Sequence, residues 1–240
     1  MKEKMYCTAI VLSAGQGKRM ETSTQKQYLE LEGKPIIYYS LKVFEDSQII
    51  DDIVLVVGEG QKEYVCEEIL NKYGFSKVRA VVYGGKERYD SVWQGILALT
   101  AQQGYVFIHD GARPFVDEDI LNRAYDTVIR HGACAAGMPS KDTIKLVDDE
   151  SFTVKTPKRK YMWVVQTPQV FESSLITDAY SKLMREDSAN VTDDAMVVEQ
   201  MMKVPVKLFE GSYENIKITT PEDLEVASAL LKRKNKNLGN

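Results

Sequence analysis

Tyr6-Cys7-Thr8-Ala9-Ile10-Val11-Leu12 is an unbroken apolar and β-branched run that stops at Ser13-Ala14-Gly15. A strand with one buried face alternates apolar and polar side chains, whereas a strand covered on both faces has no reason to. The run therefore predicts an inner strand of a parallel sheet with a glycine turn at its carboxyl end. Ile53 to Val57 (IVLVV) repeats the pattern before Gly58, and Tyr105 to His109 (YVFIH) repeats it before Asp110-Gly111. Helical stretches lie between: Ile36 to Phe44, Lys62 to Tyr73 ending at Gly74, and Tyr89 to Thr100, where Val92, Ile96 and Leu99 share a face. Strand and helix in alternation predict a doubly wound, mostly parallel α/β sheet.

Beyond residue 138 the pattern changes. Thr143 to Val147 and Phe152 to Thr156 alternate polar and apolar residues around Asp148-Asp149-Glu150-Ser151, which predicts a β-hairpin arm over about 139–162. A lone hairpin is marginal in water, so a second subunit is the natural surface for it to pack on. A helix is expected from about Thr192 to Met202 with Thr192-Asp193-Asp194 as its cap signal, then a strand from Val204 to Glu210. Pro221-Glu222-Asp223 opens a last helix, with proline and acids where the helix dipole favours them. A chain of 240 residues fits one α/β core, so residues 1–240 are expected to form a single domain.

With 44% hydrophobic and 28% charged residues, the composition is that of an ordinary soluble globular protein. The formal charge of -4 gives no general positive field, so neither nucleic acid nor membrane is an expected partner, and any anion must be held by a local cluster. The amino-terminal lysines precede a short apolar run that leads into a glycine loop, a first strand rather than a signal peptide, and no apolar stretch is long enough to span a bilayer. A cytoplasmic location is expected. Cys7, Cys66 and Cys134 are too scattered for a disulfide framework or a Cys-x-x-Cys metal site and are taken to be inert core thiols.

In doubly wound sheets ligands sit beyond the carboxyl ends of the strands, so the loops at 13–19, 84–91 and 110–114 should face one cleft. The first, Ser13-Ala14-Gly15-Gln16-Gly17-Lys18-Arg19-Met20, offers small residues for a phosphate to approach, followed by cations. Met20 stands where a dinucleotide fingerprint needs its third glycine, and Arg19 stands where a P-loop needs Ser or Thr. The Gly-x-Gly alone also fits a plain strand-to-helix turn. Lys26, in Gln25-Lys26-Gln27-Tyr28, adds a third cation after Lys18 and Arg19, so the cluster is either a triphosphate site or a solvated basic surface. His109, ending an apolar run, is expected to be a satisfied core imidazole, and His131, before Gly132, a cation at a helix carboxyl end.

Ser13-Ala14-Gly15-x-Gly17-x-Arg19-Met20 with Lys26-Gln27-Tyr28 resembles the nucleotide loop of the 2-C-methyl-D-erythritol 4-phosphate cytidylyltransferases, within the sugar-nucleotidyltransferase superfamily. Further segments match in order: Gly84-Gly85-Lys86-Glu87-Arg88-Tyr89-Asp90-Ser91, His109-Asp110-Gly111-Ala112-Arg113-Pro114, Lys141-Asp142-Thr143-Ile144-Lys145, Gln166-Thr167-Pro168-Gln169, Val191-Thr192-Asp193-Asp194-Ala195, and Gly211 to Leu224. The resemblance covers nearly the whole chain.

It implies the Rossmann-like nucleotide-diphospho-sugar transferase fold and transfer of CMP from CTP to 2-C-methyl-D-erythritol 4-phosphate, releasing pyrophosphate, in the non-mevalonate isoprenoid pathway. Arg19 and Lys26 would be catalytic, with Gly15 and Gly17 letting the loop wrap the phosphates and Mg²⁺ bridging them. Ser13, Ala14, Gly85, Lys86 and Ser91 would recognise the nucleotide. Asp110, Gly111, Arg113 and Lys217 would position the acceptor, together with Thr143 and Arg159 from an arm swapped between the subunits of a homodimer. Glu87 and Arg88 would orient their loop rather than touch ligand. Some relatives carry an acid in place of Lys86, which opens the question of base choice. In glycosyltransferase relatives an acid at the position of Asp110 binds metal, an alternative role here. Two rival functions remain: the same transfer to D-ribitol 5-phosphate, and a non-catalytic nucleotide-binding protein.

Overall fold

The computed structural model describes residues 4–15, 25–101, 103–186 and 190–238. In chain order, β1 (Cys7–Ser13) leads to a small antiparallel pair, β2 (Glu30–Leu31) and β3 (Lys34–Pro35), and then to α1 (Ile36–Asp46). After β4 (Asp52–Val57), α2 (Lys62–Tyr64) continues as a π-helix over Val65–Asn71 and is followed by β5 (Val78–Tyr83) and α3 (Arg88–Leu97). Next come β6 (Tyr105–Asp110), α4 (Glu118–His131), β7 (Ala133–Pro139), and the arm pair β8 (Leu146–Val147) and β9 (Thr153–Lys155). The chain finishes with β10 (Trp163–Glu172), α5 (Ser173–Leu183), α6 (Asp194–Met202), β11 (Lys207–Glu210) and α7 (Pro221–Leu238).

Seven strands form one sheet in the order β11-β7-β10-β6-β1-β4-β5. Its pairings are parallel except at β10, which runs antiparallel to both β6 and β7. The continuous apolar runs have the cause inferred from them. Ala9 and Val11 of β1 pack with Ile37, Leu41 and Phe44 of α1 and with α4 on one face, while Ile10 packs with Val92 of α3 and Tyr180 of α5 on the other.

Local signals set the helix ends. The Asp117 carboxylate accepts from the Ile120 N–H at 2.9 Å to start α4, and Gly132, at φ 72°, ends it just after His131. Of the three residues in the expected cap of α6, Asp193 is the one that caps, accepting from the Met196 N–H at 2.9 Å. The strand expected from Val204 starts only at Lys207, since Pro205 has no N–H to give a ladder. The arm's paired strands are likewise shorter than the alternating pattern. Cys7 and Cys134 lie in the core, but Cys66, on the π-helix, is only half-buried, a correction to the reading of all three as core thiols. No described helix is long and apolar enough to cross a membrane.

Phe44 stands edge-on to the His109 ring at 5.2 Å and is fully buried, so it props the end of β6 from below. Phe44→Ala should destabilise the protein by about 3–5 kcal/mol in urea unfolding, the usual cost of emptying an aromatic site; a loss under about 1 kcal/mol would mean that α1 and β6 close the gap.

Candidate active site

The loops that follow β1, β5 and β6 border one cavity of about 600 Å³, lined by Ser13, Ala14, Gly15, Lys26, Gln27, Gly85, Lys86, Arg88, Ser91, Asp110 and Lys217 among others. Gly17, Lys18, Arg19 and Met20 lie outside the described residues. The rest of the first loop is tied down by Gln27, whose Nε2 donates to the carbonyls of Ser13 at 2.6 Å and Gly15 at 3.2 Å. Lys26, the neighbour of Gln27, donates from Nζ to the Ile218 carbonyl at 3.0 Å. Gly84 brings the second loop against the first: a Cβ there would stand 2.4 Å from the Ala14 Cβ and 2.6 Å from the Ser91 Oγ. The Ser91 hydroxyl accepts from the Gly85 N–H and donates to the Glu87 carbonyl, each at 3.2 Å. It shapes the loop at the edge of the cavity that it lines. Glu87 and Asp90 form a reciprocal capping box at the start of α3.

Asp110, at the carboxyl end of β6, is the electrostatic centre. Lys217 Nζ donates to its Oδ2 at 2.9 Å, Arg88 Nε to its Oδ1 at 3.3 Å, and Arg113 Nε stands 3.7 Å from Oδ2. Burial pushes this carboxyl up, but Arg88, Lys217 and Arg113 outweigh it and hold the group far below the usual carboxylate range. Arg88 in turn grips Asp194 with both Nη atoms at 2.8 Å. Burial opposes its charge, while Asp194 and Asp110 raise its pKa well above the usual value.

β10 holds this centre in place. The pairing register of β10 with β7 shifts between Val165 and Gln169, which lets Gln166, Thr167 and Gln169 reach separate partners. Thr167 Oγ1 accepts from the Asp110 N–H at 3.0 Å and lies 3.1 Å from His109 Nδ1. The Arg113 carbonyl, 3.2 Å from Nε2, can only accept, which fixes the imidazole as the Nε2–H tautomer and leaves Nδ1 to accept from the Thr167 hydroxyl. Gln166 holds the Ser212 carbonyl at 2.7 Å, and Asn215 Nδ2 donates to the Thr167 carbonyl at 2.8 Å, so β10 carries the loop that delivers Lys217. Gln27, Gln166, Thr167, Gln169, Asn215 and Asp194 were given no part in the site by the sequence, where they stood only within matching segments or, for Asp194, in a cap signal. Polar side chains interrupting a strand at Gln166-Thr167-Pro168-Gln169 were the available signal.

A second cavity of about 250 Å³ shares Arg88, Asp110 and Lys217 with the first and adds Arg113, Gln166, Thr167, Gln169 and Asp193. Gly111 lines neither. A Cβ on it would meet Ile37 Cδ1 at 2.4 Å and the Leu12 carbonyl at 2.9 Å, so close packing holds this position to glycine. Thr143 and Arg159 are exposed on the arm and line neither cavity of their own chain; Arg159 Nη1 donates to the Lys141 carbonyl at 3.2 Å. Among the described residues no group of three or more His, Cys, Asp or Glu side chains could hold a metal ion. Asp110, already shared by three cations, does not fit the role of Mg²⁺ ligand.

Cations gathered where two cavities meet, beyond the carboxyl ends of a mostly parallel sheet, suit transfer between two anionic substrates and place the chain among the α/β nucleotidyltransferases. The family model for 2-C-methyl-D-erythritol 4-phosphate cytidylyltransferase, IspD, matches residues 7–233. Proteins of that name from Lachnospira eligens and Lachnoclostridium phytofermentans are 50% and 48% identical to the chain, over 94% of it and 99% and 96% of their own lengths. The crystal structure of 4-diphosphocytidyl-2C-methyl-D-erythritol synthase from Anaerococcus prevotii superposes with a TM-score of 0.85 at 34% identity, covering 95% of this chain and 97% of that one. That of the Francisella tularensis 2-C-methyl-D-erythritol 4-phosphate cytidylyltransferase gives 0.77 at 28% identity, covering 92% and 98%. The chain belongs to the IspD family.

Burial pushes the His109 pKa down from 6.5 to about 4. Between those values the unfolded chain binds a proton that the native state refuses, so stability falls as pH drops through this window, by on the order of 3 kcal/mol in all. Asp110, with its pKa depressed, adds its own loss only in stronger acid. His109→Gln should flatten the stability profile between pH 6.5 and 4 in urea titrations; an unchanged slope would mean that other groups carry it.

Proposed function

We propose that the protein transfers CMP from CTP to 2-C-methyl-D-erythritol 4-phosphate, giving 4-diphosphocytidyl-2-C-methyl-D-erythritol and pyrophosphate. The observation that carries this reading is the common wall of Arg88, Asp110 and Lys217 between a larger and a smaller cavity. A nucleotide in the first and a phosphorylated polyol in the second would bring their phosphates together at that wall. An oxygen of the acceptor phosphate attacks the α-phosphorus of CTP; the new P–O bond forms as the bond to the β-phosphate bridging oxygen breaks, and pyrophosphate leaves with that electron pair. No proton has to move in this exchange, which suits a site rich in cations and poor in acid–base groups.

Lys26 and Arg19 act on the triphosphate and on the charge that builds on the departing pyrophosphate, with Gly15 and Gly17 letting main-chain N–H groups approach. Ser13, Ala14, Gly85 and Ser91 hold the base, and Lys86 contributes through its main chain, its side chain being exposed. Lys217 and Arg113 take the acceptor phosphate, and Asp110 accepts from a polyol hydroxyl. The described acidic side chains form no cluster for Mg²⁺; bound with the nucleotide, the ion would neutralise part of the triphosphate charge beside Lys26 and Arg19.

Leu146, Val147, Phe152 and Val154 of the arm are exposed, an apolar strip that calls for a partner. In this reading the cover is a second copy, and the swapped arm carries Thr143 and Arg159 into the partner's acceptor cavity. Residues 1–240 work as one domain within a cytoplasmic homodimer.

Pyrophosphate release with CTP and Mg²⁺ tests the reaction when it is run with methylerythritol phosphate, with ribitol 5-phosphate and with no acceptor. Turnover is expected with the first; turnover with ribitol phosphate alone would overturn the assignment, and none with either would favour a nucleotide-binding protein. Mixing Lys26→Ala and Arg159→Ala subunits tests the swap. A heterodimer holds one intact site, so a random mixture of two dead parents should regain about a quarter of wild-type activity. No recovery in verified heterodimers would mean that each site is built from one chain.

A further inference from the structure

Asp194 has no part in the reaction as derived above, yet it is fully buried and carries the strongest ionic contact in the site. Its Oδ1 accepts from the Tyr180 hydroxyl at 2.6 Å and from Arg88 Nη1 at 2.8 Å, and its Oδ2 accepts from Arg88 Nη2 at 2.8 Å. Tyr180 is itself fully buried, in the layer of α5 and α6 behind the sheet. From there the charges alternate outward: Asp194, Arg88, Asp110, Lys217.

Two carboxylates therefore compete for one guanidinium. A planar fork prefers a bidentate carboxylate partner, and Asp194 takes it, leaving Asp110 a single, longer contact from Nε at 3.3 Å. That division keeps Asp110 Oδ2 open to Lys217 at 2.9 Å. Without the charge on Asp194 the fork would be free to turn onto Asp110, occupy both oxygens and displace Lys217. Stability does not explain the arrangement, because a buried ion pair contributes little over an apolar replacement of the same shape.

We propose that Asp194, oriented by Tyr180, is a positioning residue for the transfer step: by holding the fork of Arg88 it reserves Asp110 for Lys217 and so sets the acceptor phosphate in line. This rests on the reading of Lys217 as a ligand of that phosphate.

Electrostatics gives the role a distinctive sign. Arg88, Arg113 and Lys217 against Asp110 and Asp194 leave one net positive charge, and Asp194→Asn raises it to two. Anionic substrates should then bind as well or better while reacting more slowly, a split that general loosening of the fold would not produce.

Steady-state kinetics of Asp194→Asn, Tyr180→Phe, the double variant and Lys217→Ala tests it. Asp194→Asn should lower kcat by about tenfold or more with KM for both substrates unchanged or reduced. Tyr180→Phe, which loses one hydrogen bond and no volume, should lower kcat by about threefold at constant KM. It decides the matter if the Asn variant fails to fold. The double variant should be no slower than Asp194→Asn, because Tyr180 acts only through Asp194. Wild-type kcat in Tyr180→Phe and Asp194→Asn, beside a raised acceptor KM in Lys217→Ala, would overturn the positioning role alone. An unchanged acceptor KM in Lys217→Ala would overturn the acceptor-phosphate reading, and this inference with it.

Discussion

Three basic side chains in a half-buried pocket repel one another and lose hydration, so such a cluster needs a fixed counter-charge before any ligand arrives. Asp110 supplies it. Its carboxylate, at the end of β6, lies within ion-pair distance of Arg88, Arg113 and Lys217, and its depressed pKa reports the same interactions from the acid's side. Burial and the charge on Arg88 pull the Arg113 pKa down, and Asp110 resists them. The cations are thus gathered at no cost to be met at the moment of reaction, and incoming phosphates need only share them.

The backbone beneath that counter-charge is held by contacts from several elements. Phe44 supports His109 from one layer, Thr167 bonds both the His109 ring and the Asp110 N–H, and Asn215 ties the same stretch of β10 to the loop bearing Lys217. The reversed strand β10 sits between β6 and β7, at a point where a purely parallel sheet would offer a helix connection instead. Its shifted register spends polar side chains on neighbouring loops, so the smaller cavity is braced from a strand and not from a turn.

The inner strands β1, β4 and β6 were legible in the sequence because burial on both faces leaves an uninterrupted apolar run. β7 was not, since Ala133-Cys134-Ala135-Ala136-Gly137 has too little side chain to announce a strand, and Pro168 breaks the pattern of β10. In the site, the residue types and the three loops could be read, but not who uses each polar group. Ser91 gives its hydroxyl to its own loop, Arg113 gives Nη1 to the Asn215 carbonyl, and Gly111 answers to Ile37 packing against it. Linear spacing does not encode such choices. Several are settled by elements far apart in the chain, as for Arg113 with Asn215 and Arg88 with Asp194, more than a hundred residues distant.

The arm shows the opposite use of the same chemistry. Its paired strands span two and three residues, too few to hold a shape by their own ladder, and Phe152 and Val154 remain 67% and 69% exposed. What the core achieves with buried polar bonds, the arm leaves to be completed by another surface. If that surface is a second copy, as proposed, the acceptor cavity gains its last contacts only on assembly. Pre-organisation by Asp110 and completion by the arm then divide the work: the first gathers charge within one chain, and the second makes its use conditional on the dimer.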